Sequence, residues 1–320
     1  MVKYSFVLPA YKARFFKKAI DSILNQTYKE FELIIVNDAS PEDLDIIVNS
    51  YDDYRIRYYV NEQNIGGKNL VAQWNHCLEY AKGEYVILAS DDDIYSPFYL
   101  DKMDELVCKY PEVNVFRPRV MFIDGNGELC SYASTEGFLK EKVNSLEFVH
   151  SLVYDRIGSG IPFYIFKKSS LNQIGGFIDF PLAWFSDDAT VIKLSDKGIV
   201  YSSEILFYFR MSGENITTKQ NAKITLLKKM EATQHFYNFL RFHLNSLKNI
   251  TKEEQVLLTD VNKAFLSYFF CNKIVNQIFN SSCSVAISVF PTVWKMDFVP
   301  KIKLIERYIK YLTRKFCCFL

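Results

Sequence analysis

The chain has 320 residues, 49% hydrophobic and 16% aromatic, which suits one large domain with an appendage, or two domains. Its formal net charge of +1 argues against a nucleic-acid binder that works through bulk positive charge. The seven cysteines are odd in number and form no CxxC pair, and no targeting segment or convincing membrane span is evident. We therefore expect a cytoplasmic protein with reduced thiols.

Strand and helix patterns alternate over the first hundred residues. The predicted strands are 4–11, 31–40, 56–62 and 83–90. The predicted helices are 15–26, 41–51 and 68–81, the second with Ser40 as its N-cap. The strands are nearly continuous apolar runs, which indicates an α/β fold with a mostly parallel sheet covered by helices on both faces. Ligands of such sheets bind beyond the carboxyl ends of the strands.

The later sequence divides into two parts of different character. Up to about residue 217 it mixes short strands with turns, including a hairpin signal at 124–128 and a Gly-Gly turn at 175–176. From residue 218 to the end the pattern is helical. We therefore predict a mixed α/β domain over 1–217 and a helical C-terminal region over 218–320.

Three adjacent carboxylates, Asp91, Asp92 and Asp93, follow the fourth predicted strand. Unpaired neighbouring carboxylates repel each other, and each raises the pKa of the next. A solvated turn that caps the next element is the ordinary explanation of such a group. However, the buried strand before the motif and Pro97 after it fix its position. This favours a Mg²⁺ or Mn²⁺ site that substrate phosphates complete.

Other polar residues also follow predicted strands or begin a predicted helix. Asp38 closes the second strand, where it either caps a helix or accepts hydrogen bonds from a nucleobase or ribose. Tyr11 follows the first strand and either packs at the rim or stacks on a base. Asp187 and Asp188 either complement the dipole of the helix that they begin or supply a general base near the crevice.

Six stretches of the sequence carry a family resemblance over about residues 3–217. They are SFVLPAY, SILNQTYKEFELIIVNDAS, NEQNIGGKN, AKGEYVILASDDDIYSP, IGGF and SDDATVIKL. In this order and spacing the chain resembles the inverting glycosyltransferases of family 2, whose GT-A fold is Rossmann-like. The resemblance implies a nucleotide-binding half at 1–100 and an acceptor half at 101–217.

The resemblance also implies an activity and a role for each matching residue. The implied activity is transfer of a sugar from a nucleotide-diphosphate donor, with UDP as the expected nucleotide, to a hydroxyl of a glycan or lipid-linked acceptor, as in bacterial surface polysaccharide synthesis. The implied nucleotide-binding residues are Pro9, Ala10, Tyr11, Asp38 and Asp91. The implied metal ligands are Asp92 and Asp93, Asp188 is the implied catalytic base, and Asp187 stands in the first position of the acid pair.

The sequence departs from the family pattern at two positions. Many relatives begin the metal motif with Asp where this chain has Ser90, and many place a His where it has Ser212. A nucleotide-sugar- or carbohydrate-binding protein without catalysis is therefore an alternative. A sugar-phosphate nucleotidyltransferase is a second alternative, but the segment PAYKARFF lacks the glycine-rich loop that such enzymes place after the first strand.

Residues 301–316 have an amphipathic helical pattern. One face carries Ile302, Ile305, Ile309, Leu312 and Phe316. The opposite face carries Lys303, Arg307, Lys310 and Arg314. The helix either lies on an anionic membrane surface or packs within its own domain with a solvated basic face, and the sequence favours packing.

Overall fold

The computed structural model describes residues 2–132, 140–211 and 222–317. The chain divides into two compact units. The first contains Met1–Asp179 and Ser186–Glu214, and the second contains Phe180–Phe185 and Asn215–Leu320. The predicted boundary at 217/218 lies outside the described residues, and so does Ser212. The division of 1–217 into two functional halves stays a prediction.

The first unit is built on one sheet with the strand order β3-β2-β1-β4-β9-β6-β10-β5, with β7 paired to β6 and β8 to β10. The strands are β1 (Tyr4–Ala10), β2 (Phe31–Asn37), β3 (Ile56–Val60), β4 (Tyr85–Leu88), β5 (Ile94–Tyr95), β6 (Val115–Ile123), β7 (Leu129–Tyr132), β8 (Lys142–Val143), β9 (Ile165–Lys167) and β10 (Ile199–Arg210). Its helices are α1 (Phe16–Leu24), α2 (Leu44–Val48), α3 (Leu70–Leu78), α4 (Tyr99–Lys109), α5 (Ser145–Val153), α6 (Lys168–Gln173) and α7 (Ser186–Leu194).

The predicted mostly parallel sheet is confirmed. Strands β1, β2, β3 and β4 pair in parallel, and so do β6 and β10. Every residue of β2 is buried, as expected for a strand covered on both faces. Strand β9 departs from the pattern because it runs antiparallel to both neighbours, with Ile165 opposite Ile87 of β4 and Phe116 of β6. This register places Tyr164 and Arg117 level with the carboxyl end of β4.

Helix α2 is shorter than the predicted helix over 41–51, and Ser40 is not its N-cap. The cap is Asp43, whose Oδ1 accepts a hydrogen bond from Ile46 N at 3.3 Å. Ser40 Oγ instead donates to the carbonyl oxygen of Tyr11 at 2.6 Å and accepts from Glu42 N at 3.0 Å. The serine therefore ties the end of β2 to the end of β1, which a local capping pattern cannot indicate.

The described part of the second unit is helical, as predicted. Its helices are α8 (Ala222–Ser246), α9 (Lys252–Ser267), α10 (Asn276–Phe279), α11 (Cys283–Lys295) and α12 (Lys301–Cys317), with a π-helical segment at Tyr268–Val275. Across the described ranges, none of the helices combines the length and apolarity needed to cross a bilayer.

Helix α12 packs within its own unit through a face that the sequence pattern did not single out. Leu304, Tyr308 and Tyr311 are buried, and the two tyrosine hydroxyls donate to Ala286 O at 2.8 Å and Ser281 O at 2.7 Å. The predicted apolar face is exposed instead: 75% of Ile302, 42% of Ile305 and 58% of Ile309 is accessible. The side chains of Arg314 and Phe316 lie outside the described residues.

Candidate functional site

Asp38 lies at the carboxyl end of β2 and organises the loop that follows β3. Its Oδ1 accepts hydrogen bonds from Asn61 Nδ2 and Ile65 N, both at 2.8 Å, and its Oδ2 accepts from Gly66 N at 2.7 Å. A Cβ at Gly66 would lie 2.8 Å from that Oδ2, so the close approach requires glycine. A carboxylate offers about four acceptor positions, and these bonds leave one on Oδ2.

Asp91 joins the end of β4 to the segment after β1. Its Oδ2 accepts hydrogen bonds from Tyr11 N at 2.9 Å and Lys12 N at 2.8 Å. Burial raises the pKa of Asp91 to about 6, although these two donors favour the ionised form. Ala10 is buried, Pro9 is half-buried, and the Tyr11 side chain is 39% exposed at the rim. These contacts bring the predicted nucleotide-binding residues of β1 and β4 together.

Asp92 and Asp93 differ in their surroundings although they are adjacent. Asp92 is half-buried, and its Oδ1 lies 2.7 Å from Ser90 Oγ. Asp93 is fully buried, with Oδ2 at 2.6 Å from the same Ser90 Oγ and Oδ1 accepting from Arg210 N at 2.8 Å. Burial and the neighbouring Asp92 raise the pKa of Asp93 well above its usual range. Because Ser90 has one hydroxyl proton, a protonated Asp93 would supply the second bond.

The buried side chain of Arg210 holds the acidic motif from the end of β10. Its Nε donates to the carbonyl oxygen of Asp92 at 2.8 Å, and its Nη1 donates to Asp124 O at 3.0 Å. The guanidinium group also lies over the ring of Phe15, 4.4 Å from the centroid. Arg210 was not predicted as a site residue, because its contact with Asp92 joins residues that are 118 positions apart.

Asp187 and Asp188 lie in the first turn of α7, as the sequence predicts. Asp187 is half-buried and Asp188 is 6% exposed. Burial raises the pKa of Asp187, whereas the backbone N–H groups of Asp188 and Asp187 and the positive charge of Arg117 oppose the increase. Two acids in the first turn also benefit from the positive end of the helix dipole.

The two acidic groups share one edge of the sheet. Asp91, Asp92 and Asp93 follow β4 directly. The other acid pair interacts electrostatically with Tyr164, which lies beside the carboxyl end of β4 because β9 runs antiparallel to it. Ligands of open α/β sheets bind at this kind of edge.

The carboxylates that follow β4 differ in how well they suit the predicted Mg²⁺ or Mn²⁺. Within the described ranges, no three His, Cys, Asp or Glu side chains form a ready metal cage. Magnesium is commonly bound by one or two carboxylates together with substrate phosphates and water. The half-buried Asp92 fits this mode, since its Oδ2 accepts no hydrogen bond in the part of the chain that is described. The fully buried Asp93, whose two oxygens both have protein partners, fits it less well.

Comparisons with known proteins show which family the chain is similar to. The profile described as Glycosyl transferase family 2 matches residues 5–170. An uncharacterised glycosyltransferase of Rickettsia typhi is 28% identical over 269 residues, which are 82% of this chain and 77% of that protein. The GalNAc(5)-diNAcBac-PP-undecaprenol beta-1,3-glucosyltransferase of Campylobacter jejuni is 27% identical over 249 residues, 75% of this chain and 76% of that protein.

Solved structures show the same fold at low sequence identity. The crystal structure of S. aureus TarS 1–349 in complex with UDP-GlcNAc has a TM-score of 0.58 and 18% identity, and the match covers 97% of this chain and 90% of that one. The mannosyltransferase PcManGT from Pyrobaculum calidifontis, in complex with GDP-Man and Mn²⁺, has a TM-score of 0.52 and 15% identity, with 97% and 85% covered. The likeness confirms the predicted GT-A fold.

Proposed function

Because the chain belongs to glycosyl transferase family 2, we propose that it transfers a sugar from a UDP-sugar donor to a hydroxyl group of a glycan or lipid-linked acceptor, with inversion of the anomeric centre. Its family makes the chain an enzyme of the glycosyltransferase class, as predicted from the sequence. The observation that carries the proposal is that both acidic groups lie at the carboxyl edge of β4. The acids after β4 can hold a cation that binds the leaving diphosphate, and the acid pair of α7 can take the proton of the acceptor hydroxyl.

Four observations support the choice of donor and acceptor. The neighbour TarS is seen with UDP-GlcNAc, and the Campylobacter relative is named for an undecaprenol-linked acceptor. In this chain, Asp38 retains one acceptor position that suits the N3–H donor of uracil, and Tyr11 exposes a ring on which a base can stack.

Asp188 is the proposed general base. In an inverting displacement the acceptor oxygen attacks the anomeric carbon from the face opposite the leaving diphosphate, so one base suffices and no covalent intermediate forms. Asp188 would take the acceptor proton as the new glycosidic bond forms and the bond to the diphosphate breaks. Asp187, the neighbouring acid, would hold the orientation of the pair.

Asp92 is the proposed ligand of a Mg²⁺ or Mn²⁺ ion, with Asp91 and Asp93 beside it. Such an ion, when bound, neutralises the negative charge that grows on the leaving diphosphate. Ser90 and Arg210 would keep Asp92 in place through its Oδ1 and its carbonyl oxygen. Asp91 would fix the segment around Tyr11 that forms the floor under the nucleotide.

Donor hydrolysis tests the function without knowledge of the acceptor. We expect purified protein with Mn²⁺ to release the nucleoside diphosphate from at least one member of a panel of UDP-, GDP- and dTDP-sugars, because inverting transferases lose some sugar to water. The measurement is nucleotide release by coupled assay, with anomer detection by NMR on the sugar product. No release from any donor, despite nucleotide binding by calorimetry, would instead support a non-catalytic binding protein.

The exposed face of α12 supports a peripheral membrane contact, which suits an enzyme with a lipid-linked acceptor. Ile302, Ile305 and Ile309 are accessible along one side of the helix. Residues 283–313 carry five cations and two acids, a positive balance that suits an anionic lipid surface. The cations on the face opposite the isoleucines would stand about 10 Å, or one Debye length, from the lipid surface that the isoleucines contact. The isoleucines should therefore contribute more to binding than Lys303, Arg307 and Lys310.

Vesicle flotation tests this contact. We expect the full chain to float with vesicles that contain phosphatidylglycerol, and a variant with Ile302→Ser, Ile305→Ser and Ile309→Ser to bind on the order of 10²-fold more weakly. The matched variant with Lys303→Gln, Arg307→Gln and Lys310→Gln should mainly lose salt dependence. Equal flotation of the serine variant and the wild type would remove the membrane role, as would a wild type that does not float.

A further inference from the structure

The 175–179 segment, which contains the Gly-Gly turn, is hydrogen-bonded to both α3 and α7, and all three belong to the first unit. Gly175 and Gly176 have φ values of 86° and 95°, in the left-handed region that favours glycine. A Cβ on Gly176 would also overlap Oδ1 of Asn75 in α3. The turn therefore brings the backbone of the segment directly against α3.

Asn75 holds the segment to α3 through both polar groups of its amide. Its Oδ1 accepts a hydrogen bond from Phe177 N at 2.8 Å, and its Nδ2 donates to Phe177 O at 3.1 Å. The Phe177 ring is buried and lies edge-on to Trp74 of α3 and Phe166 of β9, with centroid distances of 6.0 and 5.7 Å. Two hydrogen bonds in opposite directions and a buried ring thus fix the position of Phe177.

Asn69 connects the end of the same segment to the start of α3. Its Oδ1 accepts from Ala72 N at 3.0 Å as the N-cap of the helix, and its Nδ2 donates to Asp179 Oδ2 at 2.5 Å. Its backbone N–H donates to Ile65 O at 2.9 Å, and Ile65 N is one of the donors to Asp38. Helix α3 is therefore bonded at one end to the loop that Asp38 organises.

Thr190 connects the segment to α7. It is fully buried, and its Oγ1 accepts a hydrogen bond from Ile178 N at 3.0 Å and donates one to Ser186 O at 2.7 Å. Both directions are fixed, because an amide N–H only donates and a carbonyl oxygen only accepts. Ser186 is the first residue of α7 and directly precedes the acid pair. The Thr190 hydroxyl therefore joins the segment to the helical turn that carries the two acids.

The bond from Ile178 distinguishes Thr190 from another buried helical threonine. Thr233 in α8 is also fully buried, and its Oγ1 donates to Lys229 O at 2.7 Å. This is the same bond to the residue four positions earlier, which acts only within the helix. In the described part of the chain, Thr233 makes no side-chain hydrogen bond outside α8. The accepting bond of Thr190 thus adds a connection to a second segment.

We propose that Thr190 and Asn75 are positioning residues, which through the 175–179 segment fix the first turn of α7, and with it Asp188, relative to α3. The proposal rests on the proposed function, because it takes Asp188 as the general base. A general base must lie within about 3 Å of the atom whose proton it takes, so a small displacement of α7 lowers the rate. Neither positioning residue needs to touch donor or acceptor. The loss should therefore appear in kcat rather than in donor KM.

Thr190→Val and Thr190→Ser separate the hydroxyl from the shape of the side chain. Valine keeps the shape and leaves Ile178 N without its acceptor, so we expect kcat to fall about 10-fold while donor KM changes less than about twofold. Serine keeps the hydroxyl and should restore kcat to near the wild-type value. Asn75→Asp should cause a similar loss, because its second oxygen would face Phe177 O without a proton to donate.

Thr233→Val is the matched control. It removes a buried helical hydroxyl with the same local bond, so it should leave kcat unchanged whatever its effect on Tm. All rates are measured well below the Tm of each variant. Wild-type kcat in Thr190→Val, or a loss that Thr190→Ser does not restore, would reduce Thr190 to a structural role and overturn the proposal.

Amide hydrogen exchange gives a second readout that does not depend on turnover. In Asn75→Asp the amides of Ile178, Thr190 and Val191 should exchange faster than in the wild type, although none of them is bonded to Asn75, while those of α4 should not change. Unchanged exchange in α7 would contradict the connection, even in an active enzyme. A wild type that releases no nucleotide would contradict the proposed function, and the exchange measurement would still test the connection.

Discussion

Asp188→Asn is expected to lower the rate of sugar transfer by about 10²–10⁴-fold, the usual contribution of a general base. The substitution keeps the size of the side chain and removes its ability to take the acceptor proton. Nucleotide binding should remain close to that of the wild type, since the residues proposed to bind the base and ribose lie in other elements. The measurements are transfer or donor hydrolysis for the rate and calorimetry with UDP for binding.

Asp196→Asn is the matched control for this prediction. Asp196 is an exposed aspartate two residues beyond the end of α7, so its loss should leave both measurements unchanged. Wild-type transfer in Asp188→Asn together with an inactive Asp187→Asn would move the base to Asp187. Wild-type transfer in both variants would contradict a base in this acid pair.

Asp92→Asn is expected to raise the activation barrier by several kcal/mol and so to reduce turnover on the order of 10³-fold. It should also abolish the response to added Mn²⁺ or Mg²⁺. Asparagine can still accept the hydrogen bond from Ser90 through its Oδ1, so the local geometry is kept while the charge is lost. The measurement is nucleotide release as a function of metal concentration, with Tm recorded for each variant.

Asp93→Asn separates a metal ligand from a structural acid. Asp93 is fully buried and bonded to Ser90 and Arg210, so we expect its variant to have a lower Tm and to retain the metal response. The exposed Asp52→Asn should change neither property. A metal response lost in Asp93→Asn and kept in Asp92→Asn would reverse the assignment of the two residues.

The periodicity of apolar residues was enough to predict those strands and helices that depend on neighbouring residues alone. Apolar runs such as that of β2 predicted a strand buried on both faces. The spacing of Phe16, Ala19, Ile20, Ile23 and Leu24 predicted α1, where the first four are buried and Leu24 is half-buried. The acids after β4 and at the start of α7 were found because carboxylates at element ends stand out in sequence. Family motifs then indicated the enzyme class and the GT-A fold, which the comparisons confirm.

Several features could not be predicted because they depend on contacts between distant segments. The roles of Ser40 and Arg210 require the ends of other strands as partners. Arg117 had one visible signal, a cation within the buried run of β6, but its partner Tyr164 lies 47 residues away. The amphipathic pattern of α12 identified an apolar face, but it could not decide whether that face is buried or exposed.

The sequence by itself determined the order of strands and helices, the family and the acidic residues available for chemistry, because periodicity and motifs are properties of neighbouring residues. Only the tertiary structure decided which of those acids are half-buried, which are fully buried, and which buried groups contact them. Burial, charge compensation and hydrogen-bond direction arise when distant segments pack together. They distinguish the half-buried Asp92 from the fully buried Asp93.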